Sequence, residues 1–229
     1  MALKFKVFAG SQNLRYGLSS KADGPMKLGR TAAQNRKSYL LRRKIGNFVM
    51  AEIIHGCKIA AISLGRNGQV AKGVDGLVTK SKKLGLLVTV ADCFPVYAYD
   101  PVKQAVGLAH AGWRGTAKGI AHKLVRTMAI KFQSKPADLL IAIGPGIQQH
   151  HFEVSANVAK KFHYAKRAKN KYLVDLPKEL KRQLIDAGVP KNRLELATGC
   201  TYCLTKKYYS YRRDRPKQVQ AMLAFIQLL

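Results

Sequence analysis

The residue types able to do chemistry crowd into residues 90–116, VADCFPVYAYDPVKQAVGLAHAGWRGT, which hold a cysteine, a histidine and the only tryptophan of the chain. Cys93 follows an apolar run at 84–90 that reads as a buried strand, and Pro95 is expected to stop regular pairing just beyond it. His110 follows a strand at 104–109, reached from one at 96–99 through an Asp100-Pro101 turn. A thiol and an imidazole at neighbouring strand ends form either a nucleophile with its base or two ligands of one metal ion. Asp92, beside the thiol, either handles protons or caps the following chain. Arg114 either holds an anion or braces its glycine-containing turn.

Other donors are scattered. His55 follows a strand expected at 48–54; on residue type alone a single histidine there is more often structural, while Gly56 lets the backbone pass close to the imidazole. Asp75, in VDGLVT, is either an active-site acid or the turn-former of an Asp-Gly pair. Adjacent His150 and His151 point apart in any regular structure and do not read as a chelating pair. Cys200 and Cys203 make a Cys-x-x-Cys with no second such pair and no thioredoxin-like helix start, and Cys203 reads as a buried apolar residue. Gly144-Pro145-Gly146 is a tight turn without the phosphate-loop pattern.

The period of the apolar residues sets the elements that must position these groups. Ile120, Leu124, Val125, Met128 and Phe132 share one helical face. An earlier helix is expected from a capping box at Thr31 to Gln34, with Leu40, Leu41 and Ile45 as its apolar edge and Gly46 as its end. Ser155 is expected to cap a helix carrying Val158 and Phe162. Another begins near Pro177, has Leu176, Leu180 and Leu184 at fourfold spacing, and ends at Gly188. Residues 74–79, 139–143 and 221–229 read as strands, and 64–73 as a loop. Strands interleaved with helices indicate an α+β chain without fixing strand order.

At 229 residues, 47% of them hydrophobic, the chain suits one domain over 1–229 with a large core. No apolar run reaches the ~18 residues of a membrane span and the start lacks a signal h-region, so a soluble, cytoplasmic protein is expected. Four cysteines do not make a disulfide framework. Forty-one Lys and Arg against 12 Asp and Glu leave a net charge of +29, which attracts polyanions. The basic residues are dispersed without a nucleic-acid motif, which favours general polyanion affinity over specific recognition.

Several motifs in order carry a sharper reading: Asn35-Arg36, IIHG around His55, VDGLVT, ADCFPV, LAHAGWRGT, IGPGI, Cys200-Thr201 and SYRRD. Together they resemble the laccase-domain, or multicopper-polyphenol-oxidase-like, family of zinc-dependent purine nucleoside phosphorylases. The resemblance implies layered mixed β-sheets flanked by helices, a fold similar to that of the bacterial cytotoxic-necrotizing-factor deamidases. It implies His55, Cys93 and His110 as ligands of one catalytic zinc, with a fourth position open for water or substrate. Copper binds such donors tightly as well, yet three ligands cannot build a multicopper cluster and six histidines are too few for one. The implied reactions are phosphorolysis of adenosine, inosine, guanosine and S-methyl-5′-thioadenosine, and deamination of adenosine. Phosphorolysis needs cations for phosphate, here Arg36, Arg114 and Arg212, and proton-handling groups, here Asp92 and Asp75. The alternatives are a Cys-His hydrolase on Cys93 and His110, a peptidoglycan-precursor editing enzyme, and a basic polyanion-binding protein without turnover. Two places depart from the family pattern: Ile53-Ile54 stand where Gln-Val is usual, and Arg215-Pro216-Lys217 where a Gly-Arg step is usual.

Overall fold

The computed structural model of the chain describes residues 3–27, 29–63 and 67–229, and of residues 30 and 31 the backbone only. Its strands in chain order are β1 (Leu14–Leu18), β2 (Asn47–Ala51), β3 (Ile59–Ala61), β4 (Gln69–Ala71), β5 (Gly76–Thr79), β6 (Leu84–Val90) and β7 (Phe94–Asp100). They continue as β8 (Ala105–Ala111), β9 (Leu140–Ile143), β10 (Glu153–Val154), β11 (Ala165–Ala168), β12 (Lys171–Val174), β13 (Leu194–Leu196) and β14 (Met222–Leu228). The α-helices are α1 (Arg30–Arg42), α2 (Trp113–Ala117), α3 (Ile120–Phe132), α4 (Ala156–Ala159), α5 (Leu176–Asp186) and α6 (Tyr211–Asp214).

Two mixed sheets lie face to face between helices. One has the order β1-β14-β6-β2-β4 and the other β13-β9-β7-β8-β5-β3, with a small third sheet of β10, β12 and β11. Side-chain alternation explains the layers. In β6, Leu84, Leu86, Val88 and Val90 face the core between the two large sheets, where they join Tyr97 and Tyr99 of β7 and Val106 and Leu108 of β8. Leu87 points the other way and joins Tyr39 and Leu40 of α1. On the far side of the second sheet, Val96 and Ala98 pack with Leu124 and Met128 of α3 and Leu180 of α5. A strand covered on both faces is apolar on both, which is why 84–90 has a single polar residue, Thr89, near its end at the cavity.

Some expectations change. Pro95 does not stop pairing; it lies inside β7 opposite His110. Its carbonyl accepts from the Gly144 amide at 2.8 Å, just past the end of β9 at Ile143, so the missing N–H costs the sheet only a bond at its end. α1 begins one residue ahead of Thr31, with Gly29 at the cap position, so Thr31 falls in the first turn; its side chain lies outside the described residues. The helix ends at Arg42, and Lys44, at φ 57, takes the left-handed conformation expected of Gly46. α4 is a single turn that ends before Phe162, and Ser155 makes no side-chain cap bond to it. The stretch 64–73 contains a strand, β4; residues 64–66 of it lie outside the described residues. Among the described residues no helix is long and apolar enough to cross a membrane.

Candidate metal centre and cavity

Three segments converge where β6 ends. After Val90 the chain reverses through Asp92, at φ 78, and sends Cys93 into the start of β7. His110 sits near the end of β8. β2 stops at Ala51, so His55 is carried by the turn that follows, itself left-handed at φ 58. Two non-glycine residues in that region cost on the order of 1 kcal/mol or more each, and such strain collects at functional sites. Hydrogen bonds hold both turns. The Gly56 amide donates to Asp75 Oδ2 at 2.7 Å, and the Ile147 amide donates to the Asp92 carbonyl at 2.9 Å.

One donor atom from each of His55, Cys93 and His110 falls within 4.8 Å of the others. The two imidazoles meet edge to face, their centroids 5.0 Å apart. Gly112 closes the cradle. A Cβ there would stand 2.9 Å from Cys93 Sγ and 3.5 Å from both His110 Cε1 and His55 Nδ1, so all three residues border the space that Gly112 leaves open. Two nitrogens and a thiolate sulfur are donors that suit zinc, and the spacing fits a single ion.

Asp75 is fully buried behind His110, with Oδ1 3.5 Å from Nδ1. Among the described residues neither atom has a hydrogen-bond partner, so the two face each other, and an Nδ1 turned toward Asp75 leaves Nε2 for a metal ion. Burial alone would raise the Cys93 thiol, but the imidazoles of His110 and His55 overcome it and bring it down to about 6. Burial would likewise lower His110, yet Cys93 and Asp75 hold it up at about 9. Burial opposes ionisation of Asp75 too, and the His110 ring with the Gly56 amide keeps it below the usual carboxylate range. In the metal-free chain these shifts favour a thiolate beside an imidazolium, with a carboxylate behind them.

The cradle opens on a cavity of about 460 Å³, within the range of small-molecule sites. Its cationic lining is Lys27, Arg114 and Arg212, and its aromatic lining Trp113, Phe152 and Tyr211. The Arg114 guanidinium lies 4.4 Å over the Trp113 ring. Arg212 lies 5.4 Å over Phe152 and donates through Nη1 to the Glu153 carbonyl at 2.8 Å. Asp92 also lines the cavity, but its oxygens are engaged: Oδ1 accepts from the Thr201 hydroxyl and Oδ2 from the Arg212 amide, each at 2.7 Å.

The structure thus brings Cys93, His110, His55, Asp92, Arg114 and Arg212 to one cavity, with Asp75 directly behind it. Arg36 does not line it. Its guanidinium donates to the carbonyls of Met26 and Lys27, at 3.2 and 2.6 Å, and so holds the loop that presents Lys27. Sequence reasoning missed Lys27, which sits in no motif, and the Thr201 hydroxyl, whose only signal was its place beside Cys200. Cys203 is exposed rather than buried, because the turn that begins at Cys200 runs out to the surface.

The sequence model of the multi-copper polyphenol oxidoreductase laccase family matches residues 22–229. The chain belongs to that family. Among its laccase-family relatives, purine nucleoside phosphorylase YlmD of Geobacillus stearothermophilus is 34% identical over 196 residues, covering 78% of this chain and 71% of the relative. Adenosine deaminase RL5, from an unknown prokaryotic organism, is 30% identical over 187 residues, covering 74% and 71%. The crystal structure of YlmD from Geobacillus stearothermophilus superimposes with a TM-score of 0.91 at 30% identity, covering 98% of this chain and 94% of that one.

Proposed function

We propose that this chain is a zinc-dependent purine nucleoside phosphorylase acting on adenosine, inosine, guanosine and S-methyl-5′-thioadenosine, with adenosine deamination as a second activity. The observation that carries the reading is the convergence of His55, Cys93 and His110 on a cavity lined by three cations and three aromatic rings. The names of the relatives support it. Free cysteines fit a cytoplasmic setting.

A zinc ion held by these three residues would supply Lewis acidity, and acidify water, at one wall of the cavity. The chain's own groups supply the rest. In phosphorolysis an oxygen of hydrogen phosphate bonds to the ribose C1′, the bond from C1′ to the base nitrogen breaks, and the base leaves with the proton that the phosphate gives up. Arg114, Arg212 and Lys27 form the cationic wall for phosphate, and stacking on Trp113 keeps the Arg114 guanidinium flat and oriented. The rings of Trp113, Phe152 and Tyr211 offer apolar faces to a purine. Asp75 fixes the His110 ring. Asp92, with both oxygens already accepting hydrogen bonds, positions Thr201 and Arg212.

A second reading rests on the row Asp75, His110, Cys93, whose thiolate and imidazolium also suit a Cys-His hydrolase. One experiment separates the two. Zinc-loaded protein is incubated with adenosine, inosine and S-methyl-5′-thioadenosine, with and without phosphate, beside chelated enzyme and a Cys93→Ala variant, and free base is followed by chromatography. Phosphate-dependent base release, abolished by chelation and by Cys93→Ala, is the expected result. Absence of release from every substrate by zinc-loaded protein would sink the phosphorylase reading, and amide hydrolysis that survives chelation but not thiol alkylation would install the hydrolase.

A further inference from the structure

Outside the cavity, the described residues contain one other cluster of metal-type donors: His150, Cys200 and Cys203, one atom from each lying within 4.8 Å of the others. We propose that these three residues form a second metal site, for a zinc-class ion, on the outer side of the cavity wall. The proposal does not depend on which reaction the cavity performs.

The geometry argues for a ligand set rather than a chance meeting. His150 Nε2 lies 3.4 Å from Cys203 Sγ although the residues are 53 apart in sequence. Ligand atoms on a tetrahedral zinc ion, at ~2.0–2.3 Å from the metal, stand roughly 3.3–3.8 Å from one another, so this pair is already at chelating distance. Cys200 and Cys203 sit on a single turn closed by the Leu204 amide, which donates to the Cys200 carbonyl at 3.0 Å. The Gln148 amide points at Cys200 Sγ from 3.5 Å and so ties that turn to the segment leading to His150. The segment carrying His150 is fastened to the same turn, since His151 stacks on Tyr202 with centroids 3.9 Å apart and planes 22° off parallel. Both cysteines are free, and no second Cys-x-x-Cys is needed, because the imidazole arrives from the Gln149–His151 turn.

Two thiolates and one imidazole select zinc over hard cations, and binding expels the thiol protons to solvent. Cys203 is exposed, so the fourth position faces water. The site is also wired to the cavity. Thr201, between the two cysteines, donates its hydroxyl to Asp92 and its amide to the Gly146 carbonyl at 3.1 Å. An ion at His150, Cys200 and Cys203 would therefore clamp together the loop carrying Ile147 and the turn carrying Thr201, both of which shape the cavity.

The test is metal stoichiometry in the full-length, tag-free protein, loaded with zinc and separately with cobalt(II), then freed of excess ion. The expected result is about two ions per chain. Cys203→Ser and His150→Ala should each reduce this to about one and remove most of the cobalt-thiolate charge-transfer absorbance, because Cys93 alone would then contribute. Cys93→Ser should keep the outer ion, and Cys203→His, which retains a donor, should keep both. Cys203 is exposed, so its substitution leaves the fold intact, which circular dichroism checks. About one ion per chain in the wild type, or a count unmoved by Cys203→Ser, overturns the proposal. So does a Cys200–Cys203 disulfide in protein prepared under reductant.

Discussion

At the cradle a single hydrogen atom decides whether an ion fits. Gly112 has φ -82, so no backbone strain demands glycine there; the demand is spatial. Alanine at this position would put its methyl 2.9 Å from Cys93 Sγ and 3.5 Å from His55 Nδ1, crowding the donors. Gly112→Ala should therefore fold normally yet lose the inner ion and at least about tenfold in turnover, as metal analysis beside a thermal melt would show. Asp75→Asn tests the residue behind the cradle. It keeps an oxygen for the Gly56 amide but removes the charge facing His110, and metal affinity measured by chelator competition should fall roughly 10–100-fold. Unchanged affinity would show that Asp75 serves only the Gly56 turn. At this scale the sequence was informative about Cys93 and His110, because reactive residue types at two strand ends are rare. It was silent about Asp75 as a partner of His110, since that pairing depends on β5 lying beside β8, with the His110 amide donating to the Asp75 carbonyl at 2.7 Å.

At the scale of elements, the helices behind the second sheet hold the cavity wall from outside. α5 reaches α2 through Gln183, whose Nε2 donates to the Thr116 carbonyl at 2.7 Å, and α2 carries Trp113 and Arg114. Glu179 fixes the start of α5 by bonding the His163 amide at 3.0 Å and pairing with Arg182. Burial opposes its charge, but Arg182 and the His163 amide hold its carboxyl below the usual glutamate value of 4.5. A depressed folded-state pKa stabilises the native state above the unfolded value, and that contribution disappears as pH falls from about 4.5 through the folded value. Glu179→Gln should thus flatten the acid limb of the stability curve and lower stability at neutral pH by about 1–3 kcal/mol. Urea titrations at pH 3, 5 and 7, taken as conditions of about those values, would reveal it; a parallel shift at every pH would refute it. Helices α3 and α5 were legible because their apolar spacing matches 3.6 residues per turn. The start of α1 was not, because the capping signal at Thr31 is overridden by neighbouring backbone at Gly29; Ser155 does stand at the cap position of α4, but that helix stops after one turn, before Phe162.

At the scale of the molecule, a net charge of +29 on 229 residues is what any affinity for polyanions would rest on. We expect RNA of unrelated sequences to bind with similar affinity, and binding to weaken by orders of magnitude between roughly 50 and 500 mM salt. A sequence preference that survives high salt would instead point to a dedicated recognition surface. The α+β class followed from alternating patterns, but the strand order β1-β14-β6-β2-β4 did not. Pairing between segments at opposite ends of a sequence leaves no local trace, and nothing near Leu14 announces that its partner is Leu228.

We expect that pairing to be made late in folding. β14 lies between β1 and β6, and the Leu223 amide donates to the Ser19 hydroxyl across 204 residues of sequence. Contacts so distant close late, after most chain entropy has been lost, and slow a folding reaction. Thr89 on β6 and Ala221 at the edge of β14 both face the cavity, so its floor is among the last parts to form. In refolding followed by pulsed hydrogen exchange, amides of α3 and β8 should gain protection before those of β14, and metal added during the early phase should find no complete cavity to enter. Equal rates across these elements would show that the first and last strands meet early.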